Sequence, residues 1–151
     1  DVLIAAELLQ QDTALSVEII PPASPHIDIL KLHGLARVSI GLSISDGIST
    51  SLLEAMAMGS FPIQSYTACA DEWITHQHTG FLVSPDDPES VEKYLRLAVS
   101  DDDLVDHAAS TNWTTITRRA GFEDLRAKTI ASYTEALSTY DSVDRTNRPT
   151  R

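Results

Sequence analysis

Short apolar runs separated by helical segments limit this chain to few architectures. Leu15-Ser16-Val17-Glu18-Ile19-Ile20 reads as a strand halted by Pro21-Pro22, and Val38-Ser39-Ile40-Gly41-Leu42 as a second. Phe61-Pro62-Ile63-Gln64-Ser65 and Phe81-Leu82-Val83 follow as the third and fourth. Helical patterns alternate with them. Val2 to Gln11 carries Val2, Leu3, Ala6 and Leu9 on one face, and Ser24-Pro25 opens a helix with Ile29, Leu30, His33 and Ala36 on one side. Ser49 to Met58 and Ala68 to His78 complete the series, the last closed by Gly80 in a left-handed turn. A parallel strand connection needs a crossover of about a dozen residues, which these helices supply. The expected class is therefore α/β, an open, doubly wound parallel sheet with helices on both faces.

The sheet does not return after the fourth strand. Asp87-Pro88 supplies an N-cap followed by proline at the first helical position, and Val91, Tyr94, Leu95 and Ala98 fall on one face of the helix it opens. Two further helices are expected near Asp101 to Asn112 and Phe122 to Leu137. The latter has Phe122, Arg126, Ile130, Tyr133 and Leu137 in one stripe. Four strands are few for this class, and a helix comes first, so truncation at the N-terminus is expected. Residues 1–139 are assigned to one partial domain and 140–151 to a flexible tail.

The formal charge of −11 and pI near 4.6 argue against nucleic acid or an anionic membrane as partners, since both select basic surfaces. A single cysteine, Cys69, forms no internal disulfide, and no apolar run reaches the roughly 18 residues of a spanning helix. The expected setting is cytoplasmic, at most peripheral to the inner face of a membrane.

In open parallel sheets, ligands bind beyond the carboxyl ends of strands, where helix N-termini offer N–H groups to anions. The segment from Ser43 to Gly59 leaves the second strand and enters a helix. It holds Asp46, Gly47, four small hydroxyl residues after Ile44, and Glu54. A turn rich in glycine and serine lets the backbone approach a ligand closely, and the N–H groups of Ser49, Thr50 and Ser51 are placed to meet a phosphate.

Asp46 and Glu54, seven residues between them, with Leu52-Leu53-Glu54-Ala55-Met56-Ala57, resemble the acidic-x7-Glu motif of retaining GT-B glycosyltransferases, family 4 above all. Gly59-Ser60-Phe61-Pro62-Ile63 resembles that family's Gly-x-Pro-Val-Val strand, Asp71-Glu72-Trp73-Ile74 its x-Glu-x-Ile helix, and Thr79 to Pro88 its Thr-Gly-Leu-Leu-Val-x-Pro-x-Asp-Pro run. Ala36-Arg37-Val38 stands where the family has Ala-Asp-Val. The likeness runs from about Leu15 to Leu137. It implies the Rossmann-like C-terminal half of a GT-B enzyme, without metal or cofactor, binding a nucleoside-diphosphate sugar while a separate N-terminal domain holds the acceptor. By the same resemblance Glu54 binds the ribose hydroxyls, the amides from Gly47 and Ile48 to Ser51 contact sugar and phosphate, and Asp46 faces the donor sugar as the catalytic acidic residue. Asp46 replaces the usual Glu, and Gly47-Ile48-Ser49 replaces Gly-Phe-Gly. The family's Arg and Lys pair for the diphosphate has no positional match, because Lys31 and Arg37 are the only basic residues before Lys93. The isolated chain is accordingly expected to be inactive.

Plainer readings stand beside these. Ser51-x-x-Glu54 is also a capping box, and Asp46-Gly47 an ordinary turn dipeptide. His76-x-His78 fits a helix C-terminus better than a metal, Cys69 fits a buried packing residue, and Asp101-Asp102-Asp103 fits solvated helix capping. Ser45 and Ser49 lack the Gly-x-Ser-x-Gly context of a hydrolase nucleophile. The main rival function is a GT-B-like binding or assembly module without catalysis. A weaker one is a GT-B epimerase or phosphorylase.

Overall fold

The computed structural model describes Gln10 and residues 15–21, 23–67 and 69–147, with side chains described to Tyr140. Three parallel strands form the sheet in the order β1 (Val38–Gly41), β2 (Phe61–Ser65), β3 (Phe81–Val83). Val38 pairs with Phe61, and Ile63 in turn with Phe81. Helix α1 (His26–Leu35) precedes β1, and α2 (Thr50–Met58) links β1 to β2. Helices α3 (Pro88–Ser100), α4 (Asp102–Ala120) and α5 (Phe122–Asn147) follow β3.

All five residues of β2 are buried, as a central strand covered on both faces requires. Period-two alternation divides its side chains. Phe61 and Ile63, with Phe81 and Val83 of β3, pack against Val91, Leu95 and Ala98 of α3 and Val105 and Ala108 of α4. Leu82 faces the other way, toward Leu52 and Met56 of α2 and toward Ala70 and Ile74. Phe61 and Phe81 meet edge-on at 5.1 Å, and Tyr94 stacks on Phe81 at 4.4 Å. The expected stripe of α3 is observed, with Val91, Leu95 and Ala98 buried.

Geometry demands glycine at both ends of the α2–β3 stretch, at positions 59 and 80. Gly59 ends α2 at φ 86°, a left-handed cap whose N–H reaches Ala55 O. Gly80 does not have positive φ; it is needed because a Cβ there would lie 2.8 Å from both Cγ and the carbonyl oxygen of Pro62.

Other expectations are corrected. Leu15 to Ile20 shows the in-and-out burial of a strand but is not a strand of the described sheet. Alternation satisfies side chains, whereas a strand also needs a regular backbone ladder. Leu15 packs against the core as irregular chain. The expected helix Ala68 to His78 is a single 3-10 turn, Ala70–Glu72, followed by turns. Left-handed backbone at Cys69 (φ 48°) and Gln77 (φ 68°) breaks helical continuity, and the Thr79 hydroxyl accepts the Thr75 N–H. Cys69, expected in the core, is exposed at that left-handed turn. The expected helix Val2 to Gln11 lies outside the described residues except for Gln10, which is helical.

The chain divides into two compact units, Asp1–Ile116 and Thr117–Arg151. In the second, α5 continues helically through residues 140–147, the start of the segment read as a tail. Phe122, Ile130, Tyr133 and Leu137 of its stripe are exposed. No helix among the described residues is long and apolar enough to cross a membrane.

Candidate functional site

The turn from β1 to α2 lies at the carboxyl end of the sheet. Ser43 O accepts hydrogen bonds from the hydroxyls of Ser65, at 2.7 Å, and Thr67, so the start of the turn is tied to the end of β2. Ile44 to Ile48 are exposed. Gly41 permits close packing, because a Cβ there would run into the Gln64 amide. That amide is itself buried, and its Nε2 donor has no partner among the described residues.

Ser49 is the N-cap of α2. Its Oγ accepts the Leu52 N–H at 3.4 Å and its carbonyl accepts the Leu53 N–H at 3.3 Å, leaving the N–H groups of Thr50 and Ser51 as first-turn donors that the cap does not use. The alternative capping box, with Ser51 as cap and Glu54 reaching back, does not form. Ser51 lies inside the helix, and its hydroxyl is 3.1 Å from His33 Nε2. Glu54 turns instead to His26 Nε2, at 2.6 Å from Oε1.

Of the residues expected in the site, Ser49, Thr50, Ser51 and Glu54 thus share the first two turns of one helix. Asp46, Gly47 and Ile48 lie on the exposed approach to it. Gly47 has open space around its α-carbon, so a ligand meets no side chain there. The Asp46 side chain makes no hydrogen bond or ion pair among the described residues.

Sequence reasoning missed the histidines behind this turn. His33, placed correctly on the inward face of α1, is buried and joins three elements: Nδ1 lies 2.8 Å from Ser39 Oγ of β1, and Nε2 reaches Ser51 of α2. Ser39 Oγ continues to the buried Ser60 Oγ at 2.7 Å. Burial pushes the His33 pKa below its ordinary 6.5, with the Glu54 carboxylate opposing that shift. A histidine on an otherwise apolar helix face was the available signal, since a buried imidazole requires polar partners.

The two early cations do structural work. Lys31 pairs with Asp28 at 2.9 Å within α1. Arg37 donates from Nε to Ala98 O at 3.0 Å and pairs with Asp102 at 2.6 Å, clamping the entry to β1 onto the α3–α4 junction. Asp102 therefore does more than the solvated capping expected of it, and Asp101 is the residue that caps, accepting the Leu104 N–H at 2.9 Å. His76, expected at a helix end, instead forms an isolated parallel bridge with Gly80. Its Nδ1 accepts the Leu82 N–H at 3.0 Å, and the Tyr94 hydroxyl lies 3.3 Å from Nε2.

Residues 7–113, well over half of the chain, match the family described as glycosyl transferases group 1. The chain belongs to that family. Solved structures agree in fold. The C-terminal domain of the glycosyl transferase group 1 family protein LpcC from Francisella tularensis is 21% identical, with a TM-score of 0.63, covering 77% of this chain and 60% of that one. A glycosyltransferase from Rickettsia africae is 24% identical, with a TM-score of 0.69, covering 87% of this chain and 35% of that one. Anabaena HepE, solved in complex with UDP, is 19% identical, with a TM-score of 0.60, covering 68% and 29%. The group 1 chain thus spans less than two thirds of each of these structures. Comparison with curated proteins gives no match. The expected Rossmann-like parallel sheet, matching the C-terminal domain of GT-B glycosyltransferases, is what the structure shows.

Proposed function

We propose that this chain is the donor-binding part of a glycosyltransferase that moves a sugar from a nucleoside diphosphate, with retention at the anomeric carbon as in family 4. The observation that carries this reading is the placement of the Glu54 carboxylate one turn beyond the unused Thr50 and Ser51 amides, at the open carboxyl end of a parallel sheet in a group 1 chain. A carboxylate accepts from both hydroxyls of a ribose, and a helix N-terminus receives phosphate. Gly47, Ile48 and Ser49 complete the backbone edge of the phosphate site, and Asp46 faces the sugar. The complex of Anabaena HepE with UDP favours uridine as the first base to test.

Chemically the site contributes position and fixed dipoles. Glu54 anchors the nucleoside, and the first-turn amides stabilise charge that develops on the diphosphate as the glycosidic bond breaks. Lys31 and Arg37 are held elsewhere, so this part lacks the cations that a departing diphosphate calls for. One such charge stabiliser is worth about 3 to 4 kcal/mol of barrier. By the family resemblance those cations stand early in the donor-binding domain, while the acceptor site belongs to a separate N-terminal domain, working in the cytoplasm, and the isolated chain does not turn over. The same engagement of Lys31 and Arg37 favours a second reading, a non-catalytic module that keeps the fold.

An NMR titration of the chain with UDP, GDP and ADP, repeated with Glu54→Gln, tests the donor site. The expected result is shifts at residues 47–54 for one nucleotide, weakened in the variant. Absence of binding by all three at millimolar concentration would favour the non-catalytic module.

A further inference from the structure

We propose that His26 is a positioning residue that orients the Glu54 carboxylate for ribose recognition; this rests on the donor-site reading above. His26 opens α1 and Glu54 lies in the second turn of α2, 28 residues later, yet Nε2 and Oε1 are 2.6 Å apart. A carboxylate only accepts, so the imidazole donates, in a short charge-assisted hydrogen bond.

Two contacts place it there. His26 and His33, seven residues apart, share one face of α1, while Ser51 and Glu54, three apart, share one face of α2. The first residue of α1 meets the later position on α2, and the residue two turns on meets the earlier one. The two contacts therefore run in opposite order along the two helices, as a ladder with two rungs. The inner rung, His33 to Ser51, is fixed to β1 through Ser39 and sets the register. The outer rung then brings His26 to Glu54.

The rungs differ in exposure. The His26 side chain is 69% exposed and that of Glu54 18%. An ion pair with so exposed a partner adds little to stability. Its effect is geometric. Glu54 otherwise rotates about three side-chain bonds, and each freely sampled rotamer would have to be frozen when a ligand binds. With Oε1 held by His26, Oε2 and the remaining lone pairs stay in place for a vicinal diol.

The test compares binding of UDP, GDP and ADP with their 2′-deoxy counterparts, by titration calorimetry or NMR, in the 151-residue chain and in Glu54→Gln, His26→Ala and His26→Gln. The wild type is expected to prefer one ribonucleotide over its deoxy form by about tenfold or more, and Glu54→Gln to lose that preference. His26→Ala is expected to reduce the preference by about fivefold without a change in melting temperature. His26→Gln, whose amide nitrogen reaches a similar distance, restores it. A purely structural His26 would weaken both nucleotide forms equally, and an undiminished preference in His26→Ala would overturn the inference while leaving the donor site intact. No binding by the wild type, or an undiminished preference in Glu54→Gln, would overturn the donor-site reading and this inference with it.

Discussion

Two strand-to-helix turns leave the same end of the sheet and treat their helix N-termini in opposite ways. The turn from β3 to α3 closes on itself. Asp87 accepts the Ser90 N–H at 3.1 Å and the Ser90 hydroxyl at 2.5 Å, Pro88 occupies the first turn, and the Asp87 N–H returns to Ser84 O. A carboxylate already meets the positive end of that helix. The turn from β1 to α2 is longer and exposed, and is capped only by the neutral Ser49 hydroxyl at 3.4 Å. The first turn stabilises a helix; the second leaves first-turn N–H groups open to the anion proposed above.

Giving the open turn the chemistry of the closed one is the sharpest way to break this contrast. Ser49→Asp should cap α2 more strongly, by about 0.5 to 1 kcal/mol, while weakening nucleoside-diphosphate binding about tenfold or more through charge repulsion. Calorimetry on the variant checks both halves. Unchanged affinity would mean that phosphate does not sit at this helix end.

The closed turn depends on β3 being seated against β2, where Gly80 meets Pro62. Gly80→Ala should cost about 1 to 3 kcal/mol by overpacking, read by urea denaturation, with no change in the residues of the open turn.

The smallest effect is one of pH. Hydrogen bonds from the Ser90 hydroxyl and backbone hold the Asp87 carboxyl below its ordinary 3.8. A depressed carboxylate contributes stability that is present above the unfolded value and lost as pH falls through the folded one. Asp87→Asn should flatten that part of the acid limb in thermal melts between pH 5 and 2, a range bracketing the ordinary carboxylate pKa of about 4. Ser49→Ala should leave it unchanged, since a hydroxyl does not titrate there.

Much of this contrast was legible in the sequence because its signals are local. Asp87-Pro88 announced its own cap, and Phe61 to Ser65 announced a strand, which the structure buries on both faces. Ser49 to Met58 was read as a helix, but the capping pattern in its sequence pointed to Ser51-x-x-Glu54, whereas the structure caps it with Ser49. Leu15 to Ile20 failed for a different reason, since its alternation was real but its ladder partner is a tertiary fact. The segment Ala68 to His78 had helical composition, yet the Thr79 hydroxyl claims the Thr75 N–H and the His76 ring turns to the Leu82 N–H of β3. The pairing of His26 with Glu54 left no local trace, because it arises from how α1 lies along α2.

Arg37, clamped between Ala98 O and Asp102, has a consequence for how an anionic ligand arrives. With that cation and Lys31 paired to local partners, a nucleoside diphosphate bound as proposed would approach a chain of net charge −11 without an attractive field to guide it. Dissolved ions then screen repulsion rather than attraction. Encounter should be slowest in dilute buffer and quicken as salt is added, opposite to the behaviour of electrostatically steered association.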